Sequence, residues 1–171
     1  MIIFLYGQDL YRSKQKLNEI ISHYKKIRKS GLNLIYFNAS QNGFLDFYNN
    51  LKISSMFTET KLIILEDVFS NKSFQEDFIK EIKYLESIKD VILVYEKGEV
   101  DQRLKIFKTL IKESKSQEFK LLDGKGLRIW AEKEFENKNP FGLAQGGQKI
   151  NMDALNFLLS YVGNDLWQLS N

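Results

Sequence analysis

The sequence predicts a parallel, three-layer α/β sheet followed by a helical segment. Three observations predict it. Short apolar runs alternate with amphipathic stretches of helical period through the first two thirds of the chain. Those runs are rich in Ile, Leu, Val and aromatics, as strands covered on both faces are. After Asp123-Gly124-Lys125-Gly126 the alternation stops and only helical patterns remain.

The expected strands are Ile2–Tyr6, Asn33–Phe37, Leu62–Glu66, Val91–Tyr95 and Glu118–Leu122, the middle three being near-continuous apolar runs. Asp9 is placed to cap a first helix reaching about Lys29, with Leu17, Ile20, Ile21, Tyr24 and Ile27 on one face. Phe44, Phe47, Tyr48 and Leu51 line a second, short helix. Ser73-Phe74-Gln75-Glu76 reads as a capping box opening a third, with Phe74, Phe78, Ile82 and Leu85 inward. Leu104, Phe107, Leu110 and Ile111 line a fourth. Repetition of strand and helix in this order implies a parallel sheet.

Beyond it, Leu127, Trp130, Ala131 and Phe135 mark a helix with no strand before it. A loop from Asn137 to Gln148 follows, holding the single proline, Pro140, with Gly142, Gly146 and Gly147, and with Phe141 and Leu143 placed to pin it down. Asn151 is expected to cap the next helix, with Met152, Leu155, Leu158, Leu159 and Val162 on one face and Gly163 ending it. Asn164 or Asp165 starts a last helix, in which Trp167 and Leu169 begin an apolar face. The expected organisation is an α/β domain over 1–123 and an incomplete, all-helical domain over 124–171.

Composition narrows the class. The chain has 171 residues, 43% hydrophobic and 27% charged, as a globular protein with a real core has. No apolar run approaches the roughly 18 residues that span a bilayer. The N-terminal apolar run is short and lacks a basic start, unlike a signal peptide. Cysteine is absent, which excludes disulfides and thiol chemistry and fits the cytoplasm. The one histidine, His23, sits mid-helix among polar residues and reads as a surface residue. The net charge of +3 is too small to indicate nucleic-acid binding. The basic excess lies in residues 1–60, with 8 Lys/Arg against 4 Asp/Glu. It gathers in Lys25, Lys26, Arg28 and Lys29, where cations suit the negative end of a helix dipole.

Two segments carry functional information. The turn Gly7-Gln8-Asp9 between the first strand and helix is where a phosphate-binding loop would lie. Such a loop needs several glycines, then Lys and Ser/Thr, to wrap a phosphate and its magnesium. Here there is one glycine, a carboxylate at Asp9, and Ser13-Lys14 in the wrong order inside the helix. This is a nucleotide-binding architecture without the nucleotide site. The second segment is Ser55-Met56-Phe57, just before the core strand Leu62–Glu66. Two large apolar side chains in a loop either fold back onto the core or enter another protein's pocket.

With these residues in place, the chain resembles the N-terminal part of the delta subunit of the bacterial DNA polymerase III clamp loader, over all 171 residues. The resemblance rests on Phe4-Leu5-Tyr6-Gly7-Gln8-Asp9, on Ser55-Met56-Phe57 before the strand, on Asp101-Gln102-Arg103 opening the fourth helix, on Leu127-Arg128-Ile129-Trp130, and on the ending from Val162 to Asn171. It implies an AAA+-like fold: a five-stranded parallel sheet domain without a functional phosphate loop, a small helical lid, and a C-terminal collar that is absent here. It implies a non-catalytic, ATP-independent part of the polymerase III holoenzyme, with no cofactor or metal, acting in replication. By position, Ser55, Met56 and Phe57 would enter the peptide pocket of the sliding clamp and help open it. The implied partners are that clamp, the gamma/tau and delta-prime subunits through the collar, and primer-template DNA indirectly, with no membrane. The family more often has Leu where Met56 stands, and methionine is a soft replacement of similar volume. The loop 137–148 is longer and richer in glycine than is usual there.

Rival readings remain. Glu66-Asp67 resembles the acidic magnesium pair of an NTPase or kinase-like enzyme on the same scaffold, but without a phosphate loop that pair has no substrate to serve, and capping of the following turn is the favoured reading. Lys105, Lys108, Lys112 and Lys115 form a stripe that is a solvated face or a DNA contact. A phosphoacceptor receiver domain would need an aspartate pocket with a matching lysine, which Asp9, Glu66 and Asp67 do not clearly supply.

Overall fold

The computed structural model describes residues 1–28, 33–52, 60–138 and 151–170. It divides into two units, Met1–Phe119 and Lys120–Asn171. Among the described residues, no helix is long and apolar enough to cross a membrane.

The first unit runs β1 (Ile2–Tyr6), α1 (Leu10–Ile27), β2 (Leu34–Asn38), α2 (Phe44–Lys52), β3 (Leu62–Glu66), a 3₁₀ turn (Val68–Ser70), α3 (Lys72–Ser87), β4 (Val91–Tyr95), α4 (Lys105–Glu113) and β5 (Lys115–Glu118). The strands form one parallel sheet in the order β2-β3-β4-β1-β5. This order decides which helix covers which face. Parallel crossovers are right-handed, so their direction along the sheet fixes their side. Only the step from β1 to β2 runs one way, and the other three run back. Accordingly α1 packs alone on one face, and α2, α3 and α4 share the other.

Alternation along each strand supplies both cores. Leu5, Leu62, Ile64, Leu93 and Tyr95 meet Leu17 and Ile21 of α1. Phe4, Ile63, Leu65, Ile92 and Val94 meet Phe47, Phe74, Phe78, Ile106 and Leu110. The second core is heavily aromatic. Phe47 lies 5.5 Å from Phe37 and 5.6 Å from Phe74, ring centre to ring centre. Phe107 stands edge-on to Tyr6 at 5.3 Å.

Several expectations are corrected here. The last strand is Lys115–Glu118 rather than Glu118–Leu122. It is a sheet edge with all four side chains exposed, so it carries no apolar pattern, and only Phe119 beyond it is buried. Lys115 therefore leaves the lysine stripe. The strand β2 is the opposite edge rather than covered on both faces, and its Tyr36 is 61% exposed. Helix α3 starts one residue before Ser73. Its cap is Asn71, whose Oδ1 accepts from the Phe74 amide at 3.1 Å. In α4 the buried pair is Ile106 and Leu110, one turn apart, while Ile111 faces solvent. Asp101-Gln102-Arg103 lies ahead of that helix, in a turn that ends at Leu104.

The second unit holds α5 (Gly124–Lys138), α6 (Met152–Val162) and α7 (Leu166–Leu169). Helix α5 extends past Asn137, and residues 139–150, with Pro140, Phe141 and Leu143, lie outside the described ones. Asn151 and Asp165 cap their helices as expected, and Gly163 ends α6 with φ 67°. Of the five apolar residues expected inward on α6, Leu155 is buried, whereas Met152 and Leu158 are exposed.

Gly7 ends β1 at φ 129°, a conformation that side chains disfavour. A Cβ there would stand 2.4 Å from the carbonyl oxygen of Phe119. Gly7→Ala is expected to lower stability by roughly 2–4 kcal/mol, from backbone strain plus displacement of the chain after β5. Denaturant unfolding of the two proteins checks this.

Candidate functional site

The turn after β1 is built from backbone bonds that close it. The Gly7 amide donates to the Gly98 carbonyl at 3.1 Å, and the Asp9 amide donates to the Phe119 carbonyl at 2.9 Å. The Asp9 carboxylate, only 3% exposed, accepts from the Arg12 amide at 2.9 Å and from Arg12 Nε at 2.7 Å. It thus fills the anion position at the start of α1, satisfying a helix-end donor and meeting the positive end of the dipole. Each residue expected at a degenerate phosphate loop faces a partner in the protein. Gln8 Nε2 contacts Glu99 Oε1. Ser13 is fully buried and donates to the Leu10 carbonyl at 3.2 Å. Lys14 Nζ lies 5.9 Å from the centre of the Tyr95 ring.

The acidic pair at the end of β3 is arranged differently from either sequence reading. Glu66 pairs with Lys97 at 3.0 Å. Asp67 adopts a left-handed backbone, φ 59°, and its carboxylate accepts from Asn38 Nδ2 at 2.7 Å. It makes no side-chain cap to the 3₁₀ turn that follows. Glu96, from the end of β4, makes that cap. Its Oε1 accepts from the Val68 amide at 2.6 Å and from the Phe69 amide at 3.3 Å. The left-handed turn at Asp67 aims its carboxylate at β2 and leaves the two amides to the neighbouring strand. Glu96 was not singled out in the sequence. Its signal is a carboxylate directly following the buried run Val91–Tyr95. Among the described residues, no group of three His, Cys, Asp or Glu is disposed to hold a metal ion.

Ser55, Met56 and Phe57 lie outside the described residues. Their frame is described. The Lys61 ammonium, 7% exposed as a residue, donates to the carbonyls of Asn50 at 3.1 Å and Leu51 at 2.8 Å, in the last turn of α2. Tyr24 Oη donates to the Thr60 carbonyl at 2.8 Å. Nearby, at the N-terminal end of the strands, α1 and the sheet leave an apolar groove of about 360 Å³ lined by Ile3, Ile20, Tyr24, Ile27, Leu62 and Val91, among others. On α4, Lys105, Lys108 and Lys112 are exposed. Lys112 lies 3.3 Å from Glu113, which also meets Lys83 at 2.6 Å, so the stripe carries its own counter-charge. His23 is exposed, as expected of a surface residue.

Strand order and turn together define the class: an α/β protein with a five-stranded parallel sheet, whose first turn is closed by its own backbone and filled by its own carboxylate. The sequence model of the family described as "DNA polymerase III, delta subunit" matches residues 4–120. The chain belongs to that family. Among solved structures, the Bacillus subtilis DNA clamp loader delta protein is similar in fold, with a TM-score of 0.65 and 16% identity, over 99% of this chain and 50% of that one. The chain thus spans half the length of that relative. Domain III of the Thermotoga maritima replication initiation protein DnaA is also similar, with a TM-score of 0.52 and 16% identity, over 99% of this chain and 72% of that one. No curated protein matches in sequence.

Burial is the main reason the Glu96 carboxyl rises from its ordinary value to about 7. The two amide bonds oppose the rise, and the neighbouring charges of Asp67 and Glu66 add to it. A raised carboxyl makes the folded state hold its proton longer than the unfolded chain does. Its stabilising contribution is therefore full below pH 4.5 and is lost as pH climbs through 7. Glu96→Gln keeps an oxygen for both amides and removes the titration. Unfolding measured from pH 4 to 8 is expected to show wild-type stability falling by roughly 1–3 kcal/mol relative to the variant, whose profile is flatter.

Proposed function

We propose that this chain is a clamp-loader subunit that binds the sliding clamp through Met56 and Phe57 and helps open the ring for loading onto primed DNA. Membership of the delta family over residues 4–120 carries the reading, because that match spans the loop between α2 and β3. The fold of the Bacillus subtilis clamp loader delta protein supports it. In this reading residues 1–123 are the clamp-binding domain and 124–171 belong to a helical lid. Assembly with gamma/tau and delta-prime subunits, and indirect contact with primer-template DNA, follow from it.

The mechanism is differential binding. A closed ring opens when a partner binds the opened protomer better than the closed one, and only that difference in affinity shifts the equilibrium. Burying one Phe or Met side chain contributes roughly 1.5–3 kcal/mol. Two neighbouring anchors suffice for the hot spot of a small interface. No nucleotide chemistry is assigned to the chain. In the turn that would hold a phosphate, the Gly7, Asp9 and Arg12 amides are bonded within the protein, the last of them to the Asp9 carboxylate. Action in the cytoplasm belongs to the same proposal.

Met56→Ala with Phe57→Ala separates an interface pair from a core pair. Clamp affinity is expected to fall at least a hundredfold, about 3 kcal/mol, with the melting temperature nearly unchanged. A large loss of melting temperature at unchanged affinity would remove the clamp-binding claim. Calorimetric titration of the wild-type chain with ATP and magnesium is expected to show no binding. Micromolar affinity, or hydrolysis abolished by substituting Glu66 or Asp67, would restore the enzyme reading.

A further inference from the structure

We infer that the outer edge of β2 is a self-pairing surface, on which a second copy of this chain adds its own β2 in antiparallel orientation and continues the sheet across a two-fold axis. The inference stands apart from the clamp-binding reading and uses none of its residues.

The two sheet edges are built differently. An edge strand offers unpaired N–H and C=O groups, and proteins usually guard it with charge. β5 is guarded in this way, by Lys115 and Glu118. β2 reads Leu34-Ile35-Tyr36-Phe37-Asn38 and carries no charge. Its ladder with β3 fixes which backbone groups are left over. The Asn33 carbonyl accepts from the Leu62 amide at 2.9 Å, and the Ala39 amide donates to the Glu66 carbonyl at 2.9 Å. Successive residues of a strand turn their peptide groups to opposite neighbours. Asn33, Ile35, Phe37 and Ala39 therefore bond towards β3, and the N–H and C=O of Leu34 and Tyr36 point outward. Among the described residues, no hydrogen bond reaches those outer groups. Leu34 packs on the core under α1, and Tyr36 shares its face at the middle of the edge, 61% exposed.

The edge complements itself in one register. With the two-fold axis at Ile35, Leu34 lies opposite Tyr36 of the partner subunit, and each such pair exchanges N–H and C=O in both directions. Every outward group of these residues is then bonded. The Tyr36 ring covers Leu34 of the partner subunit, an aromatic–aliphatic cross-strand pair. Moving the axis to Tyr36 would set Leu34 against Asn38 of the partner subunit. The Asn38 carbonyl is already taken, by the Gln41 amide at 3.3 Å and by Asn42 Nδ2 at 2.9 Å.

Charge favours the same arrangement. β2 begins at the end of the sheet where α1 finishes, with Lys25, Lys26 and Arg28. It finishes beside Asp67, which accepts from Asn38 Nδ2 at 2.7 Å, and near Asp46 in the first turn of α2. An antiparallel pairing brings the basic end of each copy to the acidic end of the other, so a second copy supplies both halves of the match. A five-residue edge buries less than the roughly 1,200 Å² of a standard interface, so the dimer is weak and concentration-dependent.

The test uses the full chain, by sedimentation equilibrium from about 5 to 500 µM. The wild-type chain is expected to dimerise with a Kd on the order of 100 µM. Tyr36→Lys gives this edge the charge that guards β5 and is expected to weaken the dimer at least about tenfold. The position is exposed, so far-UV circular dichroism and melting temperature are expected to stay near wild type. The chain has no cysteine, so a single introduced one reports the register. Ile35→Cys sets two thiols across the axis with Cα atoms about 4.5 Å apart, within disulfide reach. Tyr36→Cys sets them more than roughly 7 Å apart, beyond it. In glutathione buffer, Ile35→Cys is expected to form the covalent dimer about tenfold faster than Tyr36→Cys, although position 36 is the more exposed. Should Tyr36→Lys fold poorly, these two rates decide.

A wild-type chain that stays monomeric to about 500 µM overturns the inference. Protection of the Leu34 and Tyr36 amides on adding the sliding clamp would then assign the edge to an extended strand of that partner. A dimer with unchanged Kd in Tyr36→Lys overturns it as well, by placing the contact on another face. So does faster crosslinking of Tyr36→Cys than of Ile35→Cys, which would exclude the register.

Discussion

Gly7 lets two stretches of backbone touch, and much of the first unit follows from that contact. Without a side chain, the end of β1 accepts the chain leaving β5 against it, with Phe119 bonded to both Tyr6 and Asp9. That bond pattern seats β5 as an edge strand and sets the direction in which α1 departs. It also determines what the turn does. In a phosphate-binding loop the amides of this turn point at an anion. Here the Asp9 carboxylate is the anion, held by the Arg12 amide and guanidinium. A phosphate brought there would have to displace a carboxylate already bonded to both of these donors. The scaffold keeps its shape while that position is filled from within.

A second set of contacts ties the other strand ends together. Asp67 reaches β2 through Asn38, Asn71 reaches the Ala39 carbonyl, Glu66 reaches Lys97, and Glu96 holds the 3₁₀ turn. These bonds cross from strand to strand at the edge where open α/β sheets commonly bind ligands. Polar groups here are spent on holding the edge rigid. At the opposite ends of the strands, the Thr60 carbonyl is bonded to Tyr24 and the Lys61 amide to Asp90.

The parallel α/β fold was legible because β3 and β4 are covered on both faces and read as apolar runs bounded by helical patterns. The edges were harder. β5 carries Lys115, Ser116, Gln117 and Glu118, all exposed, so the eye moves to the apolar residues after it. The cap of α3 was misplaced by two residues because Ser73 and Glu76 match a capping pattern that Asn71 pre-empts. At the first turn, Asp9 was readable as both a helix cap and a repelling charge, since both follow from local sequence. Glu96 was invisible for the opposite reason. Its partners, Val68 and Phe69, are far away in sequence and adjacent only across the sheet. The bonds of the Lys61 ammonium to the Asn50 and Leu51 carbonyls were hidden in the same way. Met56 and Phe57 were singled out as two large apolar side chains in a loop before the core strand and by resemblance, and they lie outside the described residues.

Hydrogen exchange of the wild-type chain, alone and with the sliding clamp, tests the central claim most directly. The account predicts clamp-induced protection concentrated in peptides covering residues 53–60, with the lysine-bearing face of α4 and the turn at Gly7 unchanged. Protection confined to α4 or to the second unit, with residues 53–60 exchanging as in the free protein, would contradict it.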